Sequence, residues 1–304
     1  MVKPQRFTLQ GEPSLPEKTS SPHPRRHHPA AGFQDPELHQ TPSGLDALLP
    51  DQIAVKAEKA GAYKARMAMV SLLTLAMLAG AFIAIGALFA MTVSAGLPPE
   101  WAALGRLLGG VAFSLALVLV IIGGAELFTS NNLMVMAVVG GRIRLRELLH
   151  AWVVVYVGNL AGALATGAMA VLAGLSLRGD GQLGAKATAV ATDMANLGTV
   201  ETFFAGVLGN VLVCLAVWIS YSGRTTTDRI LAVVPPIVAF YALGLEHVIA
   251  TMFYFPFAYF HAFAEGAPMF VGVNGDDIGL GAFLLHLAPV TVGNIVGGGF
   301  LVGA

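Results

Sequence analysis

Residues Val155–Gly162 read VYVGNLAG and residues Val290–Gly297 read VTVGNIVG, two copies of one pattern whose asparagines, Asn159 and Asn294, stand 135 positions apart. Upstream of each copy an apolar run is interrupted by a glutamate. GGAELFTSNN (Gly123–Asn132) precedes the first and ALGLEHVIATM (Ala242–Met252) the second, with Glu126 and Glu246 separated by 120 positions. Small, Gly-rich spans resemble one another through composition alone, because small residues let helices approach closely. Here a glutamate break and a Gly-Asn pair recur in the same order, which predicts duplication of a three-span unit. An odd number of crossings per copy forces the copies into opposite orientations, the inverted-repeat plan of transport proteins, with the path near the midplane.

The rest of the chain supports counting spans rather than soluble domains. Of 304 residues 56% are hydrophobic and only 12% charged, with mean hydropathy +0.72, against about 25% charged in soluble domains. A soluble enzyme is excluded, and a formal net charge of −1 gives no support to nucleic-acid binding. Six spans are predicted within residues 67–304: Met67–Val93, Leu107–Val139, Ala151–Leu177, Thr202–Ser222, Ile230 to about Phe260, and Ile278–Ala304. Each exceeds the roughly 20 residues a helix needs to cross the hydrocarbon layer. Spans two and five are too long for one straight crossing and carry Glu126 and Glu246–His247 in their middles, so both are predicted to be broken helices.

Residues 1–50 hold nine of the 16 prolines and the stretch SPHPRRHHP, and read as a disordered tail; His23, His27 and His28 read as solvated filler rather than metal ligands. With no apolar stretch before about Met67, the tail is not expected to be a secretory signal peptide. Residues 51–66, within LDALLPDQIAVKAEKAGAYKAR, read as an amphipathic helix on the membrane surface. Nine basic residues (Lys56, Lys59, Lys64, Arg66, Arg142, Arg144, Arg146, Arg224, Arg229) fall on one side of the six spans and three (Arg106, Arg178, Lys186) on the other. The positive-inside rule then places both termini in the cytoplasm. The loop with Glu265, Asp276 and Asp277 belongs outside. The single cysteine, Cys214, lies in an apolar run and cannot form an intrachain disulfide.

Irregular backbone at membrane depth survives only where it lines a cavity or meets protein partners, so the two breaks mark a pore. His247 is the sharpest candidate in it, because an ionisable side chain within a span carries a cost of a few kcal/mol and normally has a function. Imidazole can donate to an anion or exchange a proton near neutral pH. His150, His261 and His286 read as histidines hydrogen-bonded within the bundle. Glu126 and Glu246 each precede a half-helix and read as structural, satisfying backbone donors at the positive end of the dipole. Thr129, Ser130 and Asn131 are placed to cap the half-helix or meet an anion.

GAELFTSN, VYVGN, GNVLVCLAVWISYSGR, LGLEHVIATMF and PVTVGNIVGGG together resemble the formate/nitrite transporter family of microbial anion channels, over nearly everything from about Asp51 to Ala304. The resemblance implies an all-α, aquaporin-like protomer of six helices with helices two and five broken, sitting in the bacterial inner membrane and assembled as a homopentamer with a pore in each protomer. It implies that His247 is the central pore histidine, that Thr129 hydrogen-bonds it, and that Asn210 and Asn294 are the family's asparagines of spans four and six. Both asparagines read equally well as bridges between helices. The implied apolar constrictions are Phe113, Leu117, Leu127 and Phe240, positions that ordinary helix packing would also explain. Lys186 matches the region of a lysine that attracts the anion, although it stands 24 residues before Asn210, further than the family pattern, and reads equally as a solvated lysine. Two departures stand out: Thr251 replaces a second asparagine after the histidine, and the chain ends at Ala304 without a basic tail, which leaves a longer natural chain open.

The expected function is a channel or carrier for small monovalent anions, formate first and nitrite second, with hydrosulfide, acetate and lactate open, and proton linkage through His247. No cofactor and no metal are expected. The competing class is a membrane redox protein using His150, His247, His261 and His286 as haem or metal ligands, disfavoured because these histidines show no paired spacing.

Overall fold

The computed structural model describes residues 47–262 and 278–304. The tail's histidines and the acidic loop of Glu265, Asp276 and Asp277 lie outside the described residues.

The described chain is helical throughout. Helix α1 (Pro50–Ala65) starts with proline at its first turn and buries Ile53, Ala57, Gly61 and Ala62. Then follow α2 (Met69–Ser94) and α3 (Ala102–Gly123), a break, and the short turns α4 (Phe128–Asn131) and α5 (Val135–Val139). α6 (Leu145–Leu172) closes the first repeat. The second consists of α8 (Thr199–Ser220), α9 (Thr226–Ala242), a break, α10 (Val248–Ala262) and α11 (Leu280–Asn294), which continues to Val302 with π-helical winding. Among the described residues five helices are long and apolar enough to cross a membrane, and Phe128–Val139 and Val248–Ala262 are shorter apolar helices. The fifth predicted span is thus assembled from two pieces, α9 and α10, neither of which reaches span length.

Helix α7 (Gln182–Asn196) is additional to the six spans. GAKATAVATDMANL reads in sequence as part of a connection, because its apolar stripe is made of small residues. Leu183, Ala187, Ala191 and Met194 nevertheless recur at helical spacing and are the buried face.

The repeat is visible in hydrogen bonds. Phe128 N–H donates to Asn159 Oδ1 at 2.8 Å and Val248 N–H to Asn294 Oδ1 at 2.9 Å. Asn159 Nδ2 donates to the carbonyls of Ala76 and Glu126, and Asn294 Nδ2 to those of Gly206 and Glu246. Each asparagine therefore ties the first helix of its repeat to the break and supplies the backbone acceptor that the following half-helix lacks. The glycines beside them have a steric reason. A Cβ at Gly162 would fall on the Met77 carbonyl oxygen, and one at Gly297 on that of Val207, so α6 against α2 and α11 against α8 approach backbone to backbone. Gly124 and Gly244 take φ of 72° and 65°, ending α3 and α9 in the left-handed conformation at matching points of the two copies.

Candidate functional site

At the meeting of the two breaks, Thr129 Oγ1 and His247 Nε2 are 2.8 Å apart, with exposures of 0% and 2%. His247 Nδ1 accepts from Ala250 N–H at 3.2 Å. That bond assigns the ring proton to Nε2, so Nε2–H donates to Thr129 Oγ1 and leaves the threonine hydroxyl hydrogen available. Phe128, next to Thr129, is wedged edge-on between Trp152 and Tyr156, which fixes the start of α4. The Thr129 carbonyl accepts from Asn210 Nδ2 at 3.3 Å and from the Cys214 thiol at 3.3 Å.

Asn210 and Asn294 both act here as backbone braces. Asn294 holds the second break, and Asn210 Nδ2 also donates to the Asn294 carbonyl at 2.6 Å. At the matching place in the first repeat stands Gly80, whose Cβ would strike the Asn159 carbonyl oxygen. One repeat thus brings two helix backbones into close approach at that carbonyl, and the other places there a side-chain donor that also reaches the Thr129 carbonyl.

Two cavities lie on opposite sides of this point. One, of about 280 Å³, is lined by residues of α7 (Val190, Asp193, Met194) together with Phe113, Phe240 and His247. The Phe113 and Phe240 rings stack at 6.0 Å, and Phe240 meets the His247 ring edge-on at 6.1 Å. The other, of about 180 Å³, is lined by Lys64 of α1 with Val120, Glu126, Ser130 and Tyr221. Leu117 and Leu127 are buried in the core, 3% and 0% exposed. A larger open cleft of about 920 Å³, lined by Lys59, Arg66 and Arg142, shares no residue with either cavity.

Among the described residues neither glutamate is bonded to a half-helix N–H; at each break the first donor, Phe128 or Val248, goes to an asparagine. Glu126 Oε2 instead meets Lys64 Nζ at 3.1 Å and accepts from Asn131 Nδ2 at 2.9 Å, while Lys64 Nζ also donates to Asn131 Oδ1 at 2.8 Å. Burial works against the Lys64 charge, but the adjacent Glu126 carboxylate outweighs it and holds the ammonium above its ordinary pKa. Glu246 Oε2 meets His286 Nε2 of α11 at 3.1 Å. Ser130 Oγ donates back to the Leu127 carbonyl, and Thr251 Oγ1 to the His247 carbonyl.

Lys186 sits half-buried on α7, while Asp193, seven positions nearer α8, is the α7 charge that lines the cavity. Lys64, His286 and Asp193 do not stand out as site residues in the sequence. Lys64 is hidden among interfacial lysines, and its partner is 62 positions away; His286, ionisable and embedded in LLHLAP, carries a usable signal. Of the four histidines considered as ligands, His150 is exposed on α6 and His286 is paired with Glu246. His261 is 1% exposed. No three His, Cys, Asp or Glu side chains gather as a metal site among the described residues.

An inverted repeat of membrane helices, with two breaks meeting between two cavities, defines a membrane channel or transporter. Residues 51–304 match the family described as formate/nitrite transporter, and the chain belongs to that family. It is 39% identical over 265 residues to the formate channel FocA of Escherichia coli K12, covering 85% of this chain and 93% of that one. It is 32% identical to the formate channel BtFdhC of Bacillus thuringiensis, covering 84% and 92%. Among solved structures it resembles a pentameric formate channel with formate bound, at TM-score 0.72 and 38% identity, covering 77% of this chain and 94% of that one. It also resembles a channel described as an FNT family ion channel, at TM-score 0.73 and 28% identity, covering 83% and 96%. The protein is an integral membrane channel or transporter and not an enzyme.

Proposed function

We propose that the protein conducts formate between the two cavities, past the Thr129–His247 pair, with nitrite as second substrate and α1 facing the cytoplasm of a bacterial plasma membrane. The observation that carries this is the buried 2.8 Å Thr129–His247 bond at the junction of two cavities. The relatives' formate-channel descriptions support the substrate, and the pentameric structural neighbour supports a homopentamer in which each protomer has its own path.

In this reading the anion enters from the α1 side past the Lys64–Glu126 ion pair, whose ammonium is the more exposed partner and offers the anion a charged donor. The buried Leu117 and Leu127 on one side of Thr129–His247, and the stacked Phe113 and Phe240 on the other, strip its water and disfavour its charged form. Between them the Thr129 hydroxyl hydrogen, left unused by His247, donates to the carboxylate and offsets part of the desolvation. A carboxylic acid with an aqueous pKa of about 4 is scarce as the neutral acid at pH 7, but the apolar gates favour that form locally, so protonation at the centre lowers the barrier. Parallel uptake of formate, nitrite, hydrosulfide and acetate into proteoliposomes tests the substrate. Formate should lead; no saturable formate flux would overturn the reading.

A further inference from the structure

Helix α1 sorts its cations onto two faces. Lys56 and Lys64 turn inward, where Lys56 Nζ donates to the Tyr221 carbonyl at 2.7 Å and Lys64 Nζ pairs with Glu126. Lys59, Tyr63 and Arg66, at helical spacing, line instead the open cleft of about 920 Å³, together with Arg142 from the turn before α6 and with Ser71 and Leu75 of α2. Among the described residues Lys59 has no hydrogen bond or ion pair, and Arg66 gives one of its five N–H donors to the Arg142 carbonyl at 3.0 Å. Arg142 is paired with Glu58, and no carboxylate is among the described residues that line the cleft. Two of the three cations are therefore uncompensated there.

The cleft also has a depth. The 26 residues of α2 make about 39 Å of helix against a hydrocarbon layer of about 30 Å, so the first turn lies at headgroup level. Met69 and Val70 are 60% and 77% exposed at that turn. Leu75 lies about 9 Å further along the axis than Met69, and beyond it Met77, Leu78 and Ile85 continue an exposed apolar face. A free phosphate or a soluble peptide would leave this apolar part of the cleft uncovered.

We infer that this cleft binds an anionic phospholipid, with the phosphodiester held by Lys59, Arg66 and Arg142 and one acyl chain lying against Leu75 and the exposed face of α2. Guanidinium groups match phosphate oxygens in geometry as well as charge, and a basic pocket between helices at the membrane surface is the form that anionic headgroups fit. Tyr63, 71% exposed on the rim, has the amphipathic ring that suits the same level. A lipid seated there bridges α1, α2 and the turn before α6. The cleft shares no residue with either cavity of the anion path, so the inference does not depend on which ion the protein conducts.

The test is native mass spectrometry of the purified full chain, released from mixed micelles of dioleoylphosphatidylglycerol or of dioleoylphosphatidylcholine, which has the same acyl chains and no net charge. The readout is lipid retained per protomer. The parent should retain the anionic lipid about tenfold better than the zwitterionic one. Lys59→Gln/Arg66→Gln should lose that preference, whereas Arg144→Gln/Arg146→Gln, which removes two exposed charges outside the cleft, should keep it. Ser71→Trp fills the cleft, leaves every charge in place and should also lose the lipid; it decides if the first variant does not fold. Equal losses in the two charge pairs, or full retention in Ser71→Trp, would overturn the inference in favour of a diffuse surface field. Complete displacement by inorganic phosphate at the lipid's own concentration would overturn it in favour of a free-phosphate site. Disulfide cross-linking between protomers through Tyr63→Cys would show that a second copy of the chain covers the cleft, and would overturn it as well.

Discussion

The break before α4 and the break before α10 share a backbone and differ in their charges. Asn159 and Asn294 make the same three classes of hydrogen bond, and Gly124 and Gly244 end the preceding helices in the same left-handed turn. Five residues after each glutamate the copies part. Asn131 donates to Glu126 and accepts from Lys64, whereas Thr251 bonds back to its own helix and leaves Glu246 to His286. One residue after each glutamate stand Leu127, apolar and fully buried, and His247, hydrogen-bonded to Thr129. Packing against a partner helix tolerates almost no change at the glycines and asparagines, so duplication is preserved there. In the anion path proposed above, side chains that face the cavities answer to the ion, and in an inverted repeat the ion meets the two copies from opposite ends.

The backbone half of this comparison can be broken outright. Gly162→Val and Gly297→Val each place side-chain carbon on a carbonyl oxygen of the facing helix. Because backbone must move in both cases, neither variant should yield monodisperse protein by size exclusion. A tolerated Gly297→Val beside a lethal Gly162→Val would show that the two helix pairs are not packed equivalently.

The next largest effect separates His247 from its counterpart Leu127. His247→Phe removes both the donor to Thr129 and the ring proton, and should abolish formate flux, a loss on the order of 100-fold or more if about 3 kcal/mol of stabilisation goes with the buried hydrogen bonds. His247→Asn keeps a donor but cannot titrate; it should pass voltage-driven current while losing uptake driven by a pH step. Bilayer current and pH-jump uptake on the same purified proteins distinguish the two. Unchanged pH-driven uptake in His247→Asn would assign the proton to water and leave His247 as a donor only.

Lys64 sharpens the comparison on the α1 side. Lys64→Met strands a buried carboxylate, which costs more than the pair contributes, and should reduce α1-side entry at low formate about tenfold, together with a lower unfolding temperature. Adding Glu126→Gln removes the stranded charge. The double variant should therefore be more stable than Lys64→Met alone and recover part of the flux. A double variant no better than the single would mean that Lys64 acts on the ion without regard to Glu126.

The repeat, the two broken helices and the central histidine are legible in the sequence because each leaves a local mark: a glutamate in an apolar run, Gly-Asn before another apolar run, His247 beside Glu246. What is hidden is of two kinds. Helix α7 is masked because alanines carry its buried stripe, which weakens the periodic signal of an amphipathic helix. The partners of the glutamates are masked because pairing is tertiary: Lys64 reaches Glu126 across 62 positions and His286 reaches Glu246 across 40. The capping role that sequence assigns to the carboxylates falls to asparagines more than 30 positions further on, for the same reason.

The smallest effect concerns which α7 charge an arriving anion meets. Lys186 is the residue the family pattern points to, yet Asp193 is the α7 charge on the wall of the cavity beside Phe113 and Phe240. Asp193 is exposed and the cavity opens to solvent, so its field is screened within about 8–10 Å at physiological salt. Asp193→Asn removes a negative charge from the approach and should raise α7-side formate entry about two- to threefold at low ionic strength, with α1-side entry unchanged and the gain erased by added salt. Lys186→Ala should lower entry from the same side by less than about twofold, since its charge acts from outside the cavity wall. Initial rates at subsaturating formate in low and high salt decide between the two. A larger loss in Lys186→Ala than the gain in Asp193→Asn would make Lys186 the attracting group of this entrance and Asp193 a bystander on the same helix.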